Sequence, residues 1–248
     1  MDMNFDLVEG LEVKDEDQQG FILSSGVYSL NSIIAYFIEN SYGKTDLVFS
    51  FKAEGRGLPV EIKYSVLNEK GSNHYEDRKG NTVYLSGFLR ASAVVKMLCG
   101  KEIKDIMGSC VEKVVEIYDF NAKEKVGVTV NCPTDLFEDT PKIKMAILET
   151  LNDKKVKAPE QDDNGRDVWL VTGNTREANE FVKAYNYETG QTLTEMAAGS
   201  PAKHMQNWLS KNEGIVKDKT VKLSAADKAK NDALLNTSTE TQVSSFDD

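Results

Sequence analysis

Apolar and polar residues alternate with period two through much of the first seventy positions. Leu47, Phe49 and Phe51 interleave with Val48, Ser50 and Lys52, and Val60, Ile62, Tyr64 and Val66 interleave with Glu61, Lys63 and Ser65. Successive side chains of a strand point to opposite faces, so each run predicts a half-buried strand with one apolar face. The segment "EGRGLP" between them supplies a turn, and Lys52 and Lys63 fall on the face away from the apolar row. Upstream, "GVYSLNSIIAYFIEN" is rich in β-branched and aromatic residues and ends in the turn signal "NSYGKTD". Strands are therefore expected near 27–38, 46–53 and 60–67.

The pattern then changes. Two glycine-closed turns, "NEKG" and "DRKG", flank His74 and Tyr75. Phe88, Ala91, Val95 and Leu98 recur at helical spacing, with Ser86 a candidate N-cap and Gly100 a stop, which predicts a helix over 87–99. A hairpin follows, with strands near 113–120 and 125–131 turning at "NAKEK". "KIKMAILETL" fits either a short helix or a strand; a strand is favoured because the chain beyond it reads as a long hairpin arm returning through Val168, Trp169 and Val171, with Trp169 packed along its strand. "TREANEFVKAYN" reads as charged helix or irregular chain. "AKHMQNWLSKN" reads as a short amphipathic segment anchored by Trp208. No internal repeat is present, and 236–248 has the composition of a disordered tail.

This order predicts a mainly β fold with α insertions. A helix between the third and fourth strands of a five-stranded barrel is the layout of the OB-fold, with the pair of strands beyond 142 as an elaboration. An ordinary α+β sheet would give a similar string. The expected organisation is an acidic arm at 1–20, a body at 21–215 and a flexible acidic tail at 216–248.

Composition narrows the class. Of 248 residues, 40% are apolar and 8% aromatic, as in a globular protein. No apolar run approaches the roughly 18 residues that span a bilayer, and the acidic start lacks the regions of a signal peptide. A soluble cytoplasmic protein with no membrane partner is the expectation. Three cysteines, Cys99, Cys110 and Cys132, have no paired spacing, and His74 and His204 are the only histidines. Buried thiols rather than disulfides or a metal are expected, and no cofactor.

The net charge of −10 is concentrated at the ends. Residues 1–20 hold seven acids against one lysine, and 225–248 five acids against two lysines. Between Lys44 and Lys125, 14 basic residues face 12 acids, so a basic groove is compatible with the acidic whole.

Motifs for phosphate-loop, zinc-protease and serine-hydrolase chemistry are missing. Asp162-Asp163 and Glu76-Asp77 have the residue types of a Mg²⁺ nuclease pair, but both sit in glycine-containing turns that account for them as solvated loops. A metal-dependent nuclease or recombination enzyme, or a structural virion or scaffold protein, are the alternatives to a binding protein. Single strands are held by rings under the bases and cations along the backbone. The candidates for that work are Lys52, Arg56, Lys63, Tyr64, Lys70, Tyr75, Arg78, Lys79 and Tyr84. Core packing competes for Tyr64, which is on the apolar face of its strand. Neither periodicity buries Tyr75 or Tyr84. In the tail, Phe246, Asp247 and Asp248 form an acidic aromatic end of the kind presented to partner proteins, beside the plainer role of solubilisation.

Three stretches in order, "GVYSLNSIIAYF", "YEDRKGNTVYLSGFLRASAVVKMLCGKEI" and "TGNTREANEFVKAYN", resemble the single-stranded-DNA-binding proteins of tailed bacteriophages. The likeness spans roughly 21–215. It implies an OB-fold core that coats single-stranded DNA in replication, recombination and repair, without catalysis, and an acidic tail that recruits replication or recombination proteins. The chain departs from the pattern in ending "FDD" rather than in phenylalanine, and in its acidic 1–20 arm.

Overall fold

A computed structural model of the chain describes residues 22–54, 59–119, 122–161, 167–225, 228, 229 and 231. The fold is mainly β, with a large antiparallel sheet and few helices. Strands β1 (Gly26–Glu39), β2 (Thr45–Ala53) and β3 (Val60–Leu67) form the expected meander. A two-stranded ribbon follows, β4 (His74–Glu76) with β5 (Thr82–Tyr84), then helices α1 (Ser86–Cys99) and α2 (Ile103–Ile106). Next come the hairpin β6 (Cys110–Asp119) and β7 (Glu124–Pro133) and the longer hairpin β8 (Lys142–Gln161) and β9 (Asp167–Asn186). Helices α3 (Leu193–Ala197) and α4 (Lys203–Asn212) and the short strand β10 (Val216–Asp218) close the described chain.

β2 is buried on both faces because each face meets a different layer. Leu47, Phe49 and Phe51 point into the main core with Ile62, Val66 and the α1 residues Ala91, Val94 and Val95. Phe49 and Phe51 stack with ring centres 5.8 Å apart. Burying a side chain of that size contributes about 1.5–3 kcal/mol. Val48 points the other way, into a smaller cluster with Tyr36, Val130 and Cys132 beneath the β6–β7 hairpin. Lys52 and Lys63 share the Val48 face, as the alternation predicts.

Strict alternation fails once in β1. The register slips between Ser32 and Ile34, leaving Ile33 as an exposed extra residue. The bulge lets Leu30 before it and Ala35 after it reach the same core, although their numbers differ in parity.

The strand pairings revise the expected roles of the two later hairpins. β8 pairs with β1 over Gly26–Asn31, whereas β7 meets β1 at the single pair Phe37↔Asn131. The pair beyond 142 is thus integral to the sheet, and β6–β7 branches from it through that single pair with β1. "TREANEFVKAYN" is part of strand β9 rather than helix or irregular chain. Its core residues, Ala184 and Tyr185, are few, and a register shift between the Ala146↔Lys183 and Ile147↔Phe181 pairs disrupts the alternation that would have revealed it. Val216–Asp218, assigned to the tail from sequence, adds to the sheet as a parallel strand beside β8. The buried Ser25 ties it down, donating to the Ile215 carbonyl at 2.5 Å and accepting from Glu149 N–H at 2.8 Å. Trp169 is 54% exposed rather than packed.

α1 lies between β3 on one side and β8–β9 on the other. Ser86 is its first residue and makes no side-chain cap; Leu85 occupies the capping position, and Gly100 ends the helix in the left-handed region. At the end of β9, Tyr185 is fully buried with its hydroxyl 3.1 Å from His204 Nδ1, and burial pushes its pKa up to about 12. Among the described residues no helix is long and apolar enough to cross a membrane.

Asp46 is the buried charge that fixes the meander, at 1% exposure. Ser65 Oγ donates to it at 2.6 Å, Asn40 Nδ2 at 3.0 Å and Lys63 Nζ at 3.0 Å. Burial alone would raise its pKa; the hydrogen bonds outweigh burial and leave it below the usual 3.8. Its contribution is therefore complete above pH about 4 and is lost as pH falls through the lowered value. Asp46→Asn is expected to cost about 2 kcal/mol at neutral pH and to flatten the acid limb of the stability curve, measured by urea unfolding between pH 7 and 2.

Candidate nucleic-acid interface

Three short turns share one construction. In "NSYGK", "NEKGS" and "DRKGN" the first side chain accepts backbone N–H bonds from the third and fifth residues, and the fourth is a glycine at positive φ. Gly71 and Gly80, at φ 70° and 79°, adopt a conformation that a Cβ would strain. The consequence is functional as well as structural. Each turn holds its own backbone, so the residues at its tip are free of structural duty and point to solvent: Tyr42 in the first, Lys70 in the second, Arg78 and Lys79 in the third.

The third turn closes the β4–β5 ribbon. Asp77 accepts from Lys79 N–H at 2.8 Å, from Asn81 N–H at 2.9 Å and from Asn81 Nδ2 at 3.0 Å, which holds its carboxyl below the usual range. That engagement also accounts for the acid of the Glu76-Asp77 pair as a turn former. The ribbon is fastened to the second turn, because Asn68 Nδ2 donates to the His74 carbonyl at 3.2 Å and Leu85 N–H to the Asn73 carbonyl at 2.9 Å.

Register decides what the two tyrosines do. His74 lies opposite Tyr84, and Tyr75 opposite Val83, so the tyrosines occupy opposite faces of the ribbon. Both are 51% exposed. Tyr84 stacks on Phe88 of α1 at 5.8 Å and meets His74 edge-on at 6.1 Å, so it joins the ribbon to the helix. Tyr75 faces away from that seam, and no ring contacts it among the described residues. The stretch between the two turns is thus a hydrogen-bonded ribbon with a cationic tip and one outward ring. Beside Tyr84, Phe88 also lines an apolar cavity of about 380 Å³ with Phe37 and Met107.

The remaining candidates separate into groups. Lys70 is exposed beside the ribbon. Lys63 is tied to Asp46, which engages part of its charge. Tyr64 is with the core: it is half-buried, set edge-on to Phe49 at 6.4 Å, and burial pushes its pKa up to about 12. Lys52 is exposed at the far end of β2, seven residues and roughly 23 Å along the strand from Thr45. Arg56, Phe246, Asp247, Asp248, the 1–20 arm and the Asp162-Asp163 pair lie outside the described residues. One gathering therefore forms around the ribbon, with Lys70, Tyr75, Arg78, Lys79 and Tyr84, and Lys52 is apart from it.

Sequence reading missed Tyr42, which is 70% exposed at the tip of the first turn. This turn touches the second, since a Cβ on Gly43 would sit 3.8 Å from Glu69 Cβ. The common pattern of an Asn or Asp followed three residues later by glycine was the signal available for it. Cys132 is buried and Cys99 and Cys110 partly so, all three unpaired, with burial raising each thiol pKa. No cluster of three or more metal-ligating side chains exists among the described residues. No protein-family model, no curated protein and no solved structure matches this chain.

Proposed function

We propose that the chain binds and coats single-stranded DNA with little sequence preference, as the resemblance to phage replication and recombination proteins implies, and that it catalyses no reaction. The observation that carries this reading is the β4–β5 ribbon. It presents Arg78 and Lys79 at a turn that does not need them, with the outward ring of Tyr75 behind them. Cations that follow a phosphate backbone and a ring that accepts any base are the chemistry of sequence-tolerant single-strand binding.

We assign the body to an OB-like arrangement built from β1, β2, β3, β8 and β9, with α1 in the connection after β3. Two features support it: β1 pairs with β2 on one side and β8 on the other, and α1 packs between β3 and β8–β9. The acidic tail, with Phe246, Asp247 and Asp248, is proposed to meet replication or recombination proteins.

The two tyrosines separate under substitution. Tyr75→Ala is expected to weaken binding to a fluorescent oligo-dT by about fivefold to tenfold with the melting temperature unchanged. Tyr84→Ala is expected to lower the melting temperature as well, because it removes the stack on Phe88. Anisotropy titration and thermal unfolding of both variants check this. Wild-type affinity in Tyr75→Ala would remove the ribbon from the interface.

A further inference from the structure

The β8–β9 arm carries a second feature of the same chemistry, remote in sequence from the ribbon. Where β10 ends, the chain continues along β8, with Lys219 N–H donating to the Leu151 carbonyl at 2.9 Å and Val221 N–H to Asp153 Oδ2 at 2.8 Å. Opposite, β9 bulges: Thr172, Gly173 and Asn174 together face the single residue Lys154, with Gly173 at φ 78° and Thr172 Oγ1 donating to the Lys154 carbonyl at 3.0 Å. A bulge bends a ribbon and redirects its side chains. Here the bend and the 219–221 segment enclose an open cleft of about 930 Å³.

The lining has a consistent character. Lys154, Lys155, Arg176 and Lys219 supply four cations, and Asp153, the one carboxylate, is engaged by Val221 N–H. Lys219 is paired with Glu180 at 2.6 Å, but Lys154, Lys155 and Arg176 have no ion pair among the described residues. Trp169 forms part of the wall at 54% exposure, with Lys157 directly across the ladder. An apolar ligand would have no use for the cations, and a small inorganic anion none for the indole. A nucleotide chain uses both, phosphates on the cations and a base on the ring.

We propose that this cleft is a contact site for single-stranded nucleic acid, with a base stacked on Trp169 and the adjoining phosphates on Lys154, Lys155 and Arg176. The inference rests on the single-strand reading above, and the test keeps the two separable. With Trp208→Phe in place, Trp169 is the only tryptophan. Its emission and the anisotropy of a labelled oligo-dT are followed in parallel titrations at low and high salt. The expected result is saturable quenching that tracks anisotropy and weakens with salt, and no comparable quenching by dTMP at equal base concentration. Lys154→Glu with Lys155→Glu, in the otherwise wild-type chain, should abolish the quenching when added to Trp208→Phe and lower affinity by about tenfold on its own.

Binding seen by anisotropy with Trp169 emission unchanged, or wild-type affinity in the charge-reversed variant, would overturn the arm site and leave the single-strand reading standing. Quenching by dTMP as strong as by oligo-dT would overturn the strand in favour of a mononucleotide site. No anisotropy change at low salt would overturn both.

Discussion

Gly87→Ala is expected to be the most damaging single substitution in the body, lowering stability by about 3 kcal/mol or more. Gly87 is the second residue of α1, where the helix runs against the backbone of β3. An added Cβ would overlap the carbonyl oxygen of Ser65 and lie 3.0 Å from its nitrogen. Both are main-chain atoms of a paired strand, so neither can swing aside as a flexible side chain would. Relief requires α1 to lift away from β3, and that exposes Ala91, Val94 and Val95, which are buried against the Phe49 and Ile62 core. Because Ser65 also donates to Asp46, the shift reaches the Lys63 and Asn40 contacts. Urea unfolding measures the loss. A midpoint within error of the wild type would mean that α1 does not approach β3 as closely as described.

The largest effect on binding is expected from Arg78→Gln combined with Lys79→Gln. Affinity for oligo-dT should fall roughly 30-fold at low salt, and the slope of log K against log salt should become shallower by roughly 1.4, from two lost contacts on a single strand. Stability should not change, because the turn is held by Asp77, Asn81 and Gly80 rather than by the two substituted residues. Equilibrium titrations at several salt concentrations, with thermal unfolding alongside, give both quantities. An unchanged salt slope would show that the ribbon tip does not meet phosphates.

How much of this was legible in the sequence depends on how many neighbours each residue needs. The meander was readable from Leu47, Phe49, Phe51 and their counterparts in β3, because the large apolar residues that meet the main core recur with a period of two, although β2 is buried on its other face as well. The α1 span was readable from Phe88, Ala91, Val95 and Leu98 for the same reason at helical spacing. β9 was not: it buries only a few residues, among them Ala184 and Tyr185, and a register shift disrupts the period. The choice of which hairpin joins β1 was also invisible, since it lies in the strand pairing and in no local pattern of either hairpin.

The candidate site divides in the same way. Arg78, Lys79 and Tyr75 were marked out by composition, and they lie on an exposed ribbon that composition alone does not describe. Opposite faces for Tyr75 and Tyr84 follow from a register that no local pattern encodes. Lys63 reads as an outward lysine, yet its partner Asp46 is on the neighbouring strand, and the pairing becomes visible only when β2 and β3 are aligned. Trp169 was assigned to packing because large apolar residues in strands are mostly buried. The bulge at Thr172–Asn174 and the returning 219–221 segment together give it a cleft instead.

The central claim is single-strand binding without catalysis. Titration of the full chain into fluorescent oligo-dT, at low and high salt and with Mg²⁺ added, tests it most directly. Saturable binding that weakens as salt rises, is stronger than to duplex of the same length and leaves the oligonucleotide intact is the predicted result. No binding at low salt, or cleavage on addition of Mg²⁺, would contradict it.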